Sequence, residues 1–105
     1  MRTRYLKLLD YGITKEEADR LIELAGDPDN AALVKLAVDE SNPGLSDALF
    51  TSLTMGIGYR RMMRQGRYIP GKEDDFYAYR RRALYIFKLL LKGRETENQV
   101  AVASH

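Results

Sequence analysis

Apolar residues recur along this chain at the three- and four-residue spacing of an α-helix. Ala18, Leu21, Ile22 and Ala25 fall on one face of a segment that begins at Thr14, and later apolar stretches repeat this spacing. No useful length of the chain alternates apolar and polar residues with the period of two that a half-buried strand requires. The pattern predicts an all-α protein, a small bundle of five to six helices.

Capping residues and glycines mark where these helices begin and end. Thr14 and Glu17 have capping-box spacing, in which the threonine hydroxyl accepts from the Glu17 amide and the carboxylate reaches back. Gly26, Gly56 and Gly93 stand where helices are expected to end. The predicted helices cover residues 3–10, 14–25, 30–40, 45–53, 59–65 and 73–92.

The length of 105 residues fits one domain. We expect residues 1–94 to form it and residues 95–105, which lack periodicity, to be a flexible tail. The sequence contains no cysteine, which excludes disulfides and thiolate metal sites. It shows no signal peptide and no apolar stretch of membrane-spanning length. A cytoplasmic protein without a membrane partner is expected.

Charge is distributed unevenly between the two halves of the chain. Residues 1–52 carry six bases and ten acids, whereas residues 53–105 carry eleven bases and five acids. All eleven of those bases lie between Arg60 and Arg94. Segregated positive charge attracts nucleic acid, although a solvated helix face would give the same count.

The last predicted helix has two contrasting faces. The face predicted to enter the core carries Phe76, Tyr79, Ala83, Ile86, Phe87 and Leu90. The opposite face, which we expect to be exposed, carries Tyr77, Arg81, Tyr85, Lys88 and Lys92. Arginine and lysine bind phosphate, and tyrosine adds planar area. The alternative is that Tyr77 or Tyr85 only covers the edge of the core.

Basic and tyrosine side chains of the second half are therefore the candidate nucleic-acid contacts. They are Arg60, Arg61, Arg64, Arg67, Lys72, Tyr77, Arg81, Arg82, Tyr85 and Lys88. The acids at residues 73–75 would repel phosphate from the first turn of the helix. Either these acids serve only as caps that complement the helix dipole, or the helix docks by its middle turns, or the partner is not DNA.

Part of this region matches a known pattern. Gly58-Tyr59, Tyr68-Ile69-Pro70 and the run from Asp75 to Leu84, DFYAYRRRAL, occur in order. Together they resemble the C-terminal helix-turn-helix of phage-encoded transcription regulators of the ArpU type, which are similar to the fourth region of sigma factors. The resemblance covers residues 56–92 and implies a helix-turn-helix-like part at about 45–92. It also implies a recognition helix in which Tyr77, Arg81 and Arg82 lie nearest the DNA.

Residues that carry enzymatic chemistry are scarce in the sequence. The single histidine is His105, and no phosphate-binding glycine loop follows a strand pattern. Ser46 and Ser52 have no base nearby in the sequence to activate them. We therefore predict a protein that is not an enzyme and that uses no cofactor or metal.

Two functions remain open from the sequence. The first is a small DNA-binding protein, a phage or prophage transcription regulator that uses its basic C-terminal helix. The second is a phage-encoded inhibitor, of the anti-CRISPR kind, that binds a host nucleic-acid enzyme through the basic face or the acidic N-terminal helices. A homodimer or a larger complex is consistent with either function, because one small module buries little surface on DNA.

Overall fold

The computed structural model describes the backbone of residues 6–103 and the side chains of residues 6–95. Its five α-helices are α1 (Lys15–Ala25), α2 (Ala31–Ser41), α3 (Ser46–Met55), α4 (Tyr59–Arg64) and α5 (Glu73–Ala103). Short 3-10 turns at Leu8–Tyr11, Pro28–Asn30 and Pro43–Leu45 precede the first three helices. These described residues contain no strand, so the predicted all-α class is confirmed. None of their helices has the length and apolarity to cross a membrane.

Local sequence signals set several helix ends as predicted. The Thr14 hydroxyl accepts a hydrogen bond from the Glu17 amide at 3.1 Å. The Glu17 carboxylate contacts Lys88 on α5, so this acid links two helices. α3 ends at Gly56, whose φ of 65° lies in the left-handed region that favours glycine.

The predicted end of the last helix at Lys92 is wrong. α5 continues past Gly93 to Ala103, through residues that were expected to form a flexible tail. A glycine inside a helix costs only about 1 kcal/mol relative to alanine, and the good helix formers Arg94 and Glu95 follow it. At 1.5 Å per residue the 31 residues of α5 extend about 46 Å.

The predicted first helix at residues 3–10 begins outside the described residues. The part that is described forms a 3-10 turn at Leu8–Tyr11 followed by Gly12 in the left-handed region. This turn packs against α5. The beginning of the described chain therefore covers a surface of the last helix.

The long helix α5 is the centre of the bundle, because it packs against each of the other four α-helices and against the first 3-10 turn. Phe76, Ala83 and Phe87 are buried as predicted, and Leu84 and Leu91 are buried as well. A helix with buried residues on several faces is a core element and not a surface helix. The other helices contribute to the same core Leu21, Val34, Val38, Leu49, Leu53 and Met62.

Candidate nucleic-acid interface

A positively charged segment lies between α3 and α5. It comprises residues 59–72, which form α4 and the loop that follows, and we call it the cationic segment. Five bases and no acid occur in these 14 residues. All five are exposed in the structure: Arg60, Arg61, Arg64, Arg67 and Lys72.

Two apolar side chains attach the cationic segment to the bundle. Met62 is fully buried, and Ile69 is 3% exposed. The Tyr59 ring packs against the Phe76 ring with 5.5 Å between centroids, and the Tyr59 hydroxyl donates to the Gly71 carbonyl at 3.3 Å. With these groups directed inward, the basic side chains of the segment are left on the outside.

The start of α4 is fixed by a tyrosine of α5. The Tyr59 amide, at the first position of α4, donates to the Tyr77 hydroxyl at 3.1 Å. That hydroxyl lies only 2.6 Å from the place where a Cβ on residue 58 would stand, so a larger residue at position 58 would have to displace it. The contact satisfies one of the free amides at a helix N-terminus and sets the position of the cationic segment.

Arg60 is the base of this segment that meets an acid. Its Nε donates to Glu73 at 3.0 Å, and a second guanidinium nitrogen donates to the same carboxylate at 3.4 Å. The hydrogen bonds and charge of Glu73 raise the pKa of Arg60. Among the described residues no carboxylate forms such an ion pair with the other four bases. Their charge is therefore directed toward solvent.

The predicted exposed face of α5 is instead covered, beginning with its tyrosines. Tyr77 contacts the Phe76 ring edge-on at 5.3 Å between centroids. Tyr85 contacts Tyr11 of the first 3-10 turn at 5.1 Å. Both tyrosines pack against the core, which is the alternative that the sequence left open for them.

Two bases of the same face, Arg81 and Lys88, are also engaged within the fold, whereas Lys92 is exposed. Arg81 Nε donates to the Leu6 carbonyl at 2.9 Å. Lys88 Nζ lies 2.7 Å from a Glu17 oxygen, and its side chain is only 17% exposed. The expectation of a free basic face on α5 is therefore wrong for Arg81 and Lys88, because the N-terminal segment and α1 contact them.

Arg82 is partly buried on α5, where its charge acts on a nearby tyrosine. Burial raises the pKa of Tyr11, while the charges of Arg82 and Arg81 oppose that shift. The Tyr11 hydroxyl has no hydrogen-bond partner among the described residues. Arg82 thus lies at the junction of α5 and the first 3-10 turn.

The order of α4, loop and α5 differs from a compact helix-turn-helix. α4 is six residues long, and the connection spans residues 65–72, twice the length of the usual three- to four-residue turn. A recognition helix presents its N-terminal residues to base edges, whereas α5 begins with Glu73, Asp74 and Asp75. The described geometry does not present α5 as a groove-reading helix.

Arg80 is a structural residue that the sequence did not reveal. Its Nε donates to the Ser52 hydroxyl at 2.7 Å, and that hydroxyl donates to the Ile57 carbonyl at 2.5 Å. Burial lowers the pKa of Arg80. This pair of bonds ties α5 to the α3–α4 turn, just ahead of the cationic segment. The only sequence signal was the position of Arg80 beside the apolar stripe.

A cleft of about 480 Å³ lies between α1 and the second half of α5. Leu21, Leu24 and Leu91 are among its apolar residues. Its charged lining is balanced, with the three bases Arg20, Lys88 and Lys92 and the three acids Glu16, Glu17 and Glu95. The balance, together with the Glu17–Lys88 contact, makes this cleft a poor phosphate site.

No protein-family model, curated protein sequence or solved structure matches this chain.

Proposed function

We propose that this protein binds DNA and that the cationic segment is its interface. The observation that carries the proposal is the exposure of five bases, without an acid, on a segment held by buried Met62 and Ile69. Phosphate contacts dominate the affinity of proteins for nucleic acid. A fixed group of outward-facing arginines supplies such contacts.

The cationic segment replaces α5 as the interface in this proposal. Tyr77, Arg81, Tyr85 and Lys88 support the fold through their contacts with other parts of the chain. The role in phage transcription that the resemblance implies stays part of the proposal, now assigned to residues 59–72. A second copy of the chain would add phosphate contacts and so raise the affinity.

The test compares two variants with equal loss of charge. The first, Arg61→Gln with Arg64→Gln and Arg67→Gln, neutralises the cationic segment. The second, Lys15→Gln with Arg20→Gln and Arg94→Gln, removes three exposed bases elsewhere. Fluorescence anisotropy with labelled DNA at low salt measures the affinities. We expect the first variant to lose at least about tenfold in affinity and the second to lose little.

Two results would count against this interface. Equal losses in both variants would mean that net charge alone governs binding. A wild-type protein that binds no DNA at low salt would remove the proposed function altogether. Circular dichroism of each variant checks that helix content is retained, as expected for changes at exposed positions.

A protein partner is the second candidate, and an exposed acidic surface favours it. The acids of α1 and the following turn are exposed at Glu16, Asp19, Glu23, Asp27 and Asp29. Such a surface complements a basic nucleic-acid enzyme. This alternative predicts that Glu16→Gln with Asp19→Asn and Glu23→Gln abolishes inhibition of a host nuclease while the cationic-segment variant retains it.

A further inference from the structure

Tyr68 projects from the cationic segment into solvent. Its side chain is 85% exposed, the highest value among the exposed large hydrophobic residues that are described. The next residue, Ile69, is buried, and Pro70 follows with a backbone angle φ fixed by its ring. The burial of Ile69 and the fixed φ of Pro70 restrict the backbone that follows Tyr68, and the Tyr68 ring lies on the outside of this backbone.

A shallow notch of about 100 Å³ lies beside this ring. Tyr68 and Arg67 form part of its lining, and Asp47 and Thr51 of α3 also line it. Arg67 Nε donates to the Gln65 side-chain oxygen at 3.3 Å, which restricts the guanidinium. An aromatic ring and a guanidinium plane therefore stand next to groups that can hydrogen bond to the edge of a base.

We propose that the nucleic acid bound by the cationic segment is single-stranded and that one of its bases stacks on Tyr68. This inference rests on the proposed function. Single-stranded nucleic acid is bound by basic surfaces that carry exposed aromatic rings, because each unpaired base offers a flat face for stacking. In a duplex those faces are already covered by neighbouring base pairs.

The secondary structure of the segment supports a single strand over a duplex. An α-helix reads the major groove with several turns, but α4 has six residues and its remaining exposed surface continues into a loop. The arginines would follow the phosphate backbone while Tyr68 holds a base. Thr51 lines the notch beside Tyr68, and a threonine hydroxyl can both donate to and accept from the edge of a base.

The test measures the affinity of Tyr68→Ala and Tyr68→Phe for labelled 12-residue oligonucleotides. The same sequence is used as single-stranded DNA, single-stranded RNA and duplex DNA. We expect wild type to prefer a single strand, and Tyr68→Ala to lose about five- to a hundredfold of that affinity, the range for one lost base–aromatic stack. Tyr68→Phe keeps the ring and should stay within about threefold, and the difference between the DNA and RNA arms assigns the sugar.

Different results separate this inference from the proposed function. Preference for the duplex overturns the inference and leaves the cationic segment as a duplex-binding surface. A Tyr68→Ala variant that binds a single strand as wild type does also overturns it, because Tyr68 then stacks on no base. Absence of binding to all three oligonucleotides overturns the proposed function and the inference together. The melting temperature of each variant verifies folding, which the exposure of Tyr68 should preserve.

Discussion

Ser52 is a fully buried side chain whose hydroxyl makes two hydrogen bonds. It accepts from Arg80 and donates to Ile57, so that one oxygen joins α3, the turn after it and α5. A buried polar group contributes most through what its removal leaves unpaired. The side chain therefore connects the central helix to the base of the cationic segment.

Replacement of Ser52 by alanine should destabilise the protein. The Arg80 Nε and the Ile57 carbonyl would both lose a partner, at a cost of about 1–3 kcal/mol in the free energy of unfolding. Urea unfolding measures this loss, and the slope of the free energy of unfolding against urea concentration should stay as in wild type. Thr54→Ala is the control, because among the described residues the Thr54 hydroxyl bonds to the Phe50 carbonyl alone, within α3. Equal stability of Ser52→Ala and wild type would refute the role given to this hydroxyl.

The helices of the fold were largely predictable from the sequence, but the contacts between them were not. Thr14 and Gly56 identify two helix boundaries by local chemistry that the sequence displays. Gly93 gave a wrong prediction of the end of α5, because a single glycine costs too little free energy to stop a long helix. The spacing of apolar residues along α5 correctly predicted that Phe76 and Phe87 are buried, because this spacing is a property of the helix alone.

The candidate site was also predictable only in part, because some of its side chains contact residues that are distant in the sequence. The exposure of Arg61 and Arg64 follows from a short helix with one buried face at Met62. The engagement of Arg81 with Leu6 depends on residues 75 positions apart, and no helical period reports such a contact. The sequence offered one sign that α5 has neighbours on several faces, because Leu84 and Leu91 are apolar but lie outside the predicted core face. Both residues are buried in the structure.

The orientation of α4 provides a prediction at the scale of elements. A Cβ at residue 58 would stand 2.6 Å from the Tyr77 hydroxyl but 3.8 Å from the ring carbon that carries it. Gly58→Ala should therefore cost about 1–3 kcal/mol, as overpacking does. In a Tyr77→Phe background the same change should cost much less, because the clashing oxygen is gone.

A double-mutant cycle by urea unfolding measures this coupling. The four proteins are wild type, Gly58→Ala, Tyr77→Phe and the double variant. Strictly additive losses of stability would show that Gly58 and Tyr77 act independently, contrary to the contact described. A favourable coupling would confirm that Tyr77 of α5 sets the start of the cationic segment.

Across the whole molecule, opposite charges occupy different parts of the surface. Acids predominate on α1 and the turn after it, whereas the exposed bases concentrate on residues 59–72. The bases of α5 are partly used inside the fold, as the contacts of Arg81 and Lys88 show. The net charge of +2 therefore understates the positive field at the cationic segment, which attracts a polyanion from a distance.

The salt dependence of nucleic-acid binding tests the central claim most directly. Each phosphate neutralised adds about 0.9 to the slope of log affinity against log salt for a duplex, and about 0.7 for a single strand. The Arg61, Arg64 and Arg67 triple glutamine variant should therefore reduce the slope by about 2.7 or about 2.1. The Lys15, Arg20 and Arg94 control should keep the wild-type slope. Equal slopes in the two variants would contradict the assignment of binding to residues 59–72.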